Sequence, residues 1–225
     1  MEKIIILTQK KWHLDLLESC QSKLPEYNFI LIKSNKEFNI NNVKKINPSK
    51  IFIPHWSFII PNEIHSNFEC ILFHMTDLPF GRGGSPLQNL IKLGFSKTKI
   101  SALYVTEKID SGPIYMKRKL TLEGSAKEIF LRASKIIENM IFEILKKELK
   151  PNIQIGEPTY FKRRKPSQSN IVDLKNIVEI YDHIRMLDCE DYPRAFLDIE
   201  GFKFEFENAI LHNNQIIADV RITEK

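Results

Sequence analysis

Glu69-Cys70-Ile71-Leu72-Phe73-His74-Met75-Thr76-Asp77-Leu78-Pro79-Phe80-Gly81-Arg82-Gly83-Gly84-Ser85-Pro86 opens as a short apolar run and breaks into a polar, glycine-bearing stretch. A second apolar segment, Pro86 to Leu93, follows and can start a helix near Ser85-Pro86. The order is strand, loop, helix. The same alternation extends outward. Lys3 to Thr8, Phe29 to Ile32, Ile51 to Ile53 and Ile100 to Val105 read as strands, and Trp12 to Gln21 reads as a helix. Ile114 to Lys119 is expected as the antiparallel successor of Ile100 to Val105, after the turn residues Asp110-Ser111-Gly112-Pro113. Ser125 and Glu128 form a capping box ahead of an amphipathic helix that reaches Leu145 and is punctuated by Pro151. Strands alternating with helices predict an α/β domain with a doubly wound, mostly parallel sheet.

Past Pro151 the character changes, and Lys162-Arg163-Arg164-Lys165 followed by Pro166-Ser167-Gln168-Ser169 reads as an irregular basic connector. Leu174 to Leu187 is a helix candidate, and Ala195 to Ile199, Phe202 to Phe206 and Gln215 to Thr223 read as strands. The expected division is a catalytic domain over 1–155, a connector over 156–170 and a small β-rich appendage over 171–225.

Composition narrows the function classes. With 225 residues, 43% of them hydrophobic and 27% charged, the chain can bury a sizeable core and has no disordered bias. The opening apolar run Ile4 to Leu7 is too short for a signal-peptide core or a membrane span, so a cytoplasmic protein without membrane attachment is expected. Cys20, Cys70 and Cys189 are odd in number and form no CxxC, which points to neither a disulfide framework nor a zinc site. The net charge of +5 suits a phosphate-bearing partner or equally a scattered lysine surface.

Two segments carry the chemistry. In the first, three glycines around Arg82 let backbone approach a ligand, and the guanidinium can grip a carboxylate or phosphate. In the second, Val105-Thr106-Glu107-Lys108-Ile109-Asp110-Ser111-Gly112-Pro113-Ile114, an acidic residue sits in a tight turn after a strand. Alone, Asp110 reads as turn chemistry and His74 as a hydrogen-bonded structural histidine. Together, His74, Leu78, Pro79, Arg82, Gly83, Pro86, Asp110, Gly112 and Ile114 resemble the folate-dependent formyltransferases in order and spacing. This is the fold of methionyl-tRNA, glycinamide ribonucleotide and sugar N-formyltransferases. The resemblance runs from about Ile51 to Ala209 and includes Tyr160 to Pro166 and Tyr192 to Phe196.

The resemblance implies transfer of a formyl group from 10-formyltetrahydrofolate to an amine, without a metal. His74 would move the proton and Asp110 would orient it. Leu78, Pro79, Arg82, Gly83 and the run Thr106, Glu107, Lys108, Ile109, Asp110 would line the folate pocket. One departure stands out: the family asparagine two residues before the histidine is Leu72 here. Its donor role toward the formyl oxygen must then pass elsewhere, with His55 and Ser57 favoured over Trp56 and Thr76. The short appendage and the His74 to Pro86 variant are most similar to the sugar enzymes, including those of pseudaminic-type pathways. That similarity implies a nucleotide-linked 4-amino-4,6-dideoxy sugar, such as UDP-linked amino-deoxy-altrosamine, for a cell-surface polysaccharide. Lys10, Lys11, Trp12, Arg163 and Arg164 would contact the nucleotide. Methionyl-tRNA or another amine is the alternative acceptor, and an inactive folate- or nucleotide-binding module is the alternative class. Nucleic acid ranks below the sugar because no long basic run or interleaved aromatic motif is present. A homodimer is compatible with all of these readings.

Overall fold

Ile4, Ile5, Ile6 and Leu7 are fully buried, so the first strand is covered on both faces as strands of a parallel sheet are. In the computed structural model, which describes residues 1–190 and 192–225, this strand is β1 (Glu2–Thr8). It is followed by α1 (Leu14–Lys23), β2 (Tyr27–Ile32), α2 (Ile40–Ile46), β3 (Lys50–His55), α3 (Asn62–His65) and β4 (Glu69–His74). Next come β5 (Arg82–Gly83), α4 (Pro86–Lys92), β6 (Lys97–Tyr104), β7 (Ile114–Thr121) and α5 (Ala126–Lys147). The chain ends with β8 (Tyr160–Phe161), α6 (Ile177–Arg185), β9 (Ala195–Ile199), β10 (Phe202–His212) and β11 (Gln215–Glu224).

Two compact units divide the chain. The first comprises Met1–Gly83, Thr98–Leu120 and Leu131–Tyr160, and the second comprises Gly84–Lys97, Thr121–Phe130 and Phe161–Lys225. Both are discontinuous in sequence, a feature that linear divisions at 155 and 170 do not express.

The first unit carries a six-stranded sheet in the order β2-β1-β3-β4-β6-β7. β2, β1, β3 and β4 are mutually parallel, whereas β6 runs antiparallel to β4. The Tyr104 N–H donates to the Pro113 carbonyl at 2.8 Å, which places β7 beside β6 after the expected turn. The mostly parallel α/β sheet predicted from the strand-helix alternation is therefore present. Side-chain alternation sorts its two faces. Ile5, Leu7, Ile51, Ile53 and Cys70 share one cluster with Val43 of α2 and Ile64 of α3. Asn39 caps α2 by accepting from the Asn42 N–H, a start signal that the sequence reading passed over. Asn47 ends the helix in the left-handed conformation.

The second unit holds α4, α6 and an antiparallel sheet in the order β11-β10-β9, the β-rich appendage expected from the C-terminal sequence. The Ser125–Glu128 capping box forms reciprocally at the start of α5: the Ser125 N–H donates to Glu128 Oε2 at 2.8 Å, and the Glu128 N–H donates to Ser125 Oγ at 3.3 Å. The three cysteines are free and buried. Among the described residues no helix is long and apolar enough to cross a membrane.

Burial also shapes the stability of the first unit against acid. Desolvation, reinforced by the neighbouring His55, pushes His13 from 6.5 down to about 3, with its Nδ1 2.8 Å from Ser134 Oγ. In the second unit, burial and then the charge of Arg164 push His183 down to about 4. Each ring stays neutral when folded but protonates at about 6.5 once unfolded, so the unfolded chain binds more protons below that value. Their stabilising contribution is complete above pH 6.5 and is lost progressively as pH falls from there to the folded values of about 3 and 4. Urea unfolding of His13→Gln, followed from neutral pH down to about pH 5, should show a flatter pH profile than the wild type. The amide can keep the Ser134 bond but does not titrate.

Candidate functional site

β4 delivers His74 to the carboxyl end of the sheet, where α/β proteins place their ligands. The imidazole is only 7% exposed, and both ring nitrogens face acceptors. Nε2 lies 2.8 Å from the Gly81 carbonyl oxygen. A carbonyl can only accept, so Nε2 carries a proton and Nδ1 is the position open to proton exchange. Nδ1 faces Asp110 Oδ2 at 3.6 Å, beyond hydrogen-bond range. The same carboxylate oxygen accepts from the Gly83 N–H at 2.8 Å. The glycine loop after β4 thus holds both partners: Gly81 fixes the imidazole and Gly83 fixes the carboxylate.

The loop itself is tied down through its backbone. The Gly81 N–H donates to Thr159 Oγ1 at 2.7 Å, and the Arg82 N–H donates to the Thr159 carbonyl at 2.9 Å. Gly81 and Gly83 have φ of 72° and 105°, conformations open to glycine at little cost. Asp110 itself sits at φ 49°, which its short polar side chain tolerates. The turn before it is closed by Ser111 Oγ donating to the Lys108 carbonyl at 2.8 Å. Behind it, a Cβ on Gly112 would lie 1.8 Å from the Tyr104 carbonyl oxygen, so only glycine lets the turn lie against β6.

Gln154 was not anticipated from sequence. Its Nε2 donates to the carbonyls of Asp110 and Gly112, each at 2.8 Å, and its Oε1 accepts from Arg82 Nη2 at 2.7 Å and Nε at 3.3 Å. Arg82 Nη1 reaches the Tyr160 hydroxyl at 3.5 Å. The guanidinium expected to grip a ligand is therefore engaged with Gln154, where it braces the loop that bears Asp110. Asn152 exchanges backbone bonds of 2.7 and 2.9 Å with Ile114, which anchors the segment two residues before Gln154. No periodic pattern surrounds Gln154, so nothing in the local sequence advertised it.

The remaining candidates fall in different places. Leu78 is fully buried and lies beneath the loop, while Pro79 and Thr106 are half-buried. Glu107, Lys108 and Ile109 project outward beside Asp110, Ile109 being 61% exposed. His55 ends β3 opposite Thr8, with its ring edge-on to Trp12 at 5.5 Å. Lys10 stands over the Trp12 ring at 5.3 Å, Lys11 is exposed, and Ser57 is exposed. Arg163 and Arg164 belong to the second unit, where Arg164 Nη2 donates to the Gln168 carbonyl at 2.6 Å. Among the described residues no cluster of three or more His, Cys, Asp or Glu side chains could hold a metal.

Comparisons with known proteins bear on this site. A family model described as the C-terminal domain of methionyl-tRNA formyltransferase matches residues 166–223. The structure of a methionyl-tRNA formyltransferase from Clostridium thermocellum is 52% identical, covers all of both chains and superposes with a TM-score of 0.97. Methionyl-tRNA formyltransferase from Francisella philomiragia is 27% identical over 82% of this chain and 62% of its own length. The chain thus spans about three fifths of the curated relatives it matches. The formyltransferase PseJ from Anoxybacillus kamchatkensis, solved with UDP-4,6-dideoxy-4-formamido-L-AltNAc and tetrahydrofolate, shares the fold at a TM-score of 0.56 and 21% identity over 71% of this chain and 85% of its own.

Removing the Gln154 brace should loosen the Asp110 turn. In Gln154→Ala, amide exchange at Ser111 and Gly112 is expected to accelerate by at least about tenfold while β1 amides keep their protection. Gly112→Ala, which overfills the same turn, should cost about 1–3 kcal/mol in urea unfolding.

Proposed function

We propose formyl transfer to an amine as the reaction of this chain, which belongs to the formyltransferase family by its 52% identity over its full length to a solved member. The observation that carries the reading is the His74–Asp110 pair, held by the Gly81 carbonyl and the Gly83 N–H on one loop.

The residues present fit 10-formyltetrahydrofolate as donor. Glu107, Lys108 and Ile109 stand outward beside Asp110, Gly83 bonds the Asp110 carboxylate through its N–H, and Pro79 precedes the same glycine loop. These residues would hold the folate, with Leu78 supporting them from below. When bound, the folate supplies a formyl carbon attached to nitrogen. The acceptor must arrive as a neutral amine. As its nitrogen bonds to the formyl carbon, it gives up a proton that His74 Nδ1 is placed to take, because Nε2 is already committed to Gly81. Asp110 Oδ2 then faces a cationic ring and stabilises it. The imidazolium would then return its proton to the folate nitrogen that leaves the formyl carbon, which would restore His74.

For the acceptor, the relatives lean toward methionyl-tRNA, against the sugar expected from the loop sequence. The 52% identical structure and the family model over 166–223 both carry that name. The nucleotide-linked amino sugar stays as second reading on one observation. The formyltransferase PseJ, solved with a UDP-linked formamido sugar and tetrahydrofolate, shares the fold.

Tetrahydrofolate release would be measured with 10-formyltetrahydrofolate and either methionyl-tRNA or a panel of UDP- and dTDP-linked 4-amino sugars. Turnover should fall about 10²- to 10⁴-fold in His74→Ala and Asp110→Ala. Turnover with tRNA alone or with a single sugar decides between the two acceptors. Folate binding without turnover of any amine would replace the enzyme reading by a binding module.

A further inference from the structure

Formyl transfer gathers negative charge on the formyl oxygen, and a hydrogen-bond donor aimed at that oxygen typically contributes about two to three orders of magnitude in rate. At the position where the resemblance expects an asparagine, Leu72 leans on the cluster of Ile5, Leu7, Ile51 and Ile53 and offers no donor. Leu72 and His74 share a face of β4 by strand alternation. Ile53 pairs with Leu72, so the end of β3 runs alongside the end of β4. Three residues past Ile53, Trp56 folds onto the same cluster as Leu72. Its ring contacts Phe38 at 6.0 Å and Phe58 at 5.6 Å. The indole Nε1 is buried and has no hydrogen-bond partner in the protein.

Two hydroxyls near His74 are engaged. Thr76 Oγ1 donates to the Gly81 carbonyl at 3.4 Å, and Ser101 Oγ donates to the Thr76 carbonyl at 2.7 Å. A buried N–H without an acceptor is costly, and where one persists in a native structure it requires a reason. An acceptor arriving with a ligand is such a reason.

We propose that Trp56, through its Nε1–H, is the donor to the formyl oxygen that replaces the amide missing at Leu72. The inference rests on the formyl-transfer reading above. An indole nitrogen donates and cannot accept, so it would favour an oxygen gaining negative charge and would not compete with His74 for the proton. Held among Phe38 and Phe58, it would need little reorganisation as that charge forms.

Trp56→Phe keeps an aromatic ring and removes the donor. The expected result is a fall in kcat of about 10²- to 10³-fold with the folate Kd little changed, while Ser57→Ala and His55→Ala retain most of kcat. A second readout does not depend on turnover. The chain has two tryptophans, so an ¹⁵N-indole spectrum shows two N–H signals, and the one lost in Trp56→Phe is Trp56. That signal should move downfield and exchange more slowly with a formyl-bearing 10-carba folate analogue, and stay in place with tetrahydrofolate. Wild-type kcat in Trp56→Phe, loss confined to Ser57→Ala or His55→Ala, or an indole signal indifferent to the formyl group would each overturn the proposal. Should the wild type formylate no amine, the formyl-transfer reading falls by its own assay, and the indole signal still decides whether Trp56 meets the formyl oxygen.

Discussion

Two carbonyl oxygens and one missing Cβ hold the site together. The Tyr104 carbonyl leaves room only for glycine at position 112, and that fit lets the Asp110 turn lie against β6. The Gly81 carbonyl orients the His74 ring from the other side. Between them, one carboxylate oxygen of Asp110 takes the Gly83 N–H and faces His74 Nδ1. A shift of either loop would break all of these relations at once. Gln154 couples the loops directly, since one side-chain amide satisfies two carbonyls of the Asp110 turn and the Arg82 guanidinium of the glycine loop.

This arrangement explains why a protein would place so much glycine and backbone hydrogen bonding around one histidine. An imidazole that the fold holds in one position and one tautomer needs no further ordering when a ligand arrives. Backbone carbonyls are better suited to this than side chains, having no rotamers to lose. The sheet supplies the foundation. β3 and β4 are paired in parallel over Lys50 to Ile53 and Glu69 to Leu72, and Ile51, Phe52, Ile53, Cys70 and Ile71 are fully buried. Their carboxyl ends are rigid points from which the irregular segments depart.

Much of this was legible in the sequence, and the parts that were share a physical cause. Buried strands such as Ile4 to Leu7 announce themselves as apolar runs, and the Ser125–Glu128 box is a local motif whose partners are three residues apart. His74 and Asp110, whose side chains face each other, were singled out because short, ordered patterns mark both segments. Gln154 depends on contacts 44 residues away in sequence, within a segment with no periodicity, and so it left no local signature. Arg82 was read from sequence as a ligand contact, and its bond to Gln154 was not, since the partner lies 72 residues away. α2 escaped because it is a single short helix of seven residues whose cap, Asn39, lies among other asparagines. β10 extends to His212, past the Phe206 limit read from sequence, because a register shift between Glu207 and Ile210 interrupts the alternation there.

The acceptor is the hardest property to read, for a reason the geometry makes plain. On the formyl-transfer reading, the residues fixed by the two loops would serve the proton and the formyl group, and these are common to formyl transfer whatever amine receives it. The loop sequence therefore constrains the chemistry strongly and the acceptor weakly, which is how a motif similar to sugar enzymes can sit in a chain 52% identical to a methionyl-tRNA formyltransferase. Leu72 illustrates the same separation from within. An amide there would be a polar group beside Ile53 and the cluster around it, and leucine instead completes that apolar surface. Apolar completion of the sheet face and donation to an oxygen cannot both be done by one side chain at that position. On the formyl-transfer reading a donor would come from a neighbouring segment, and Trp56, on the segment leaving β3, packs against the same cluster.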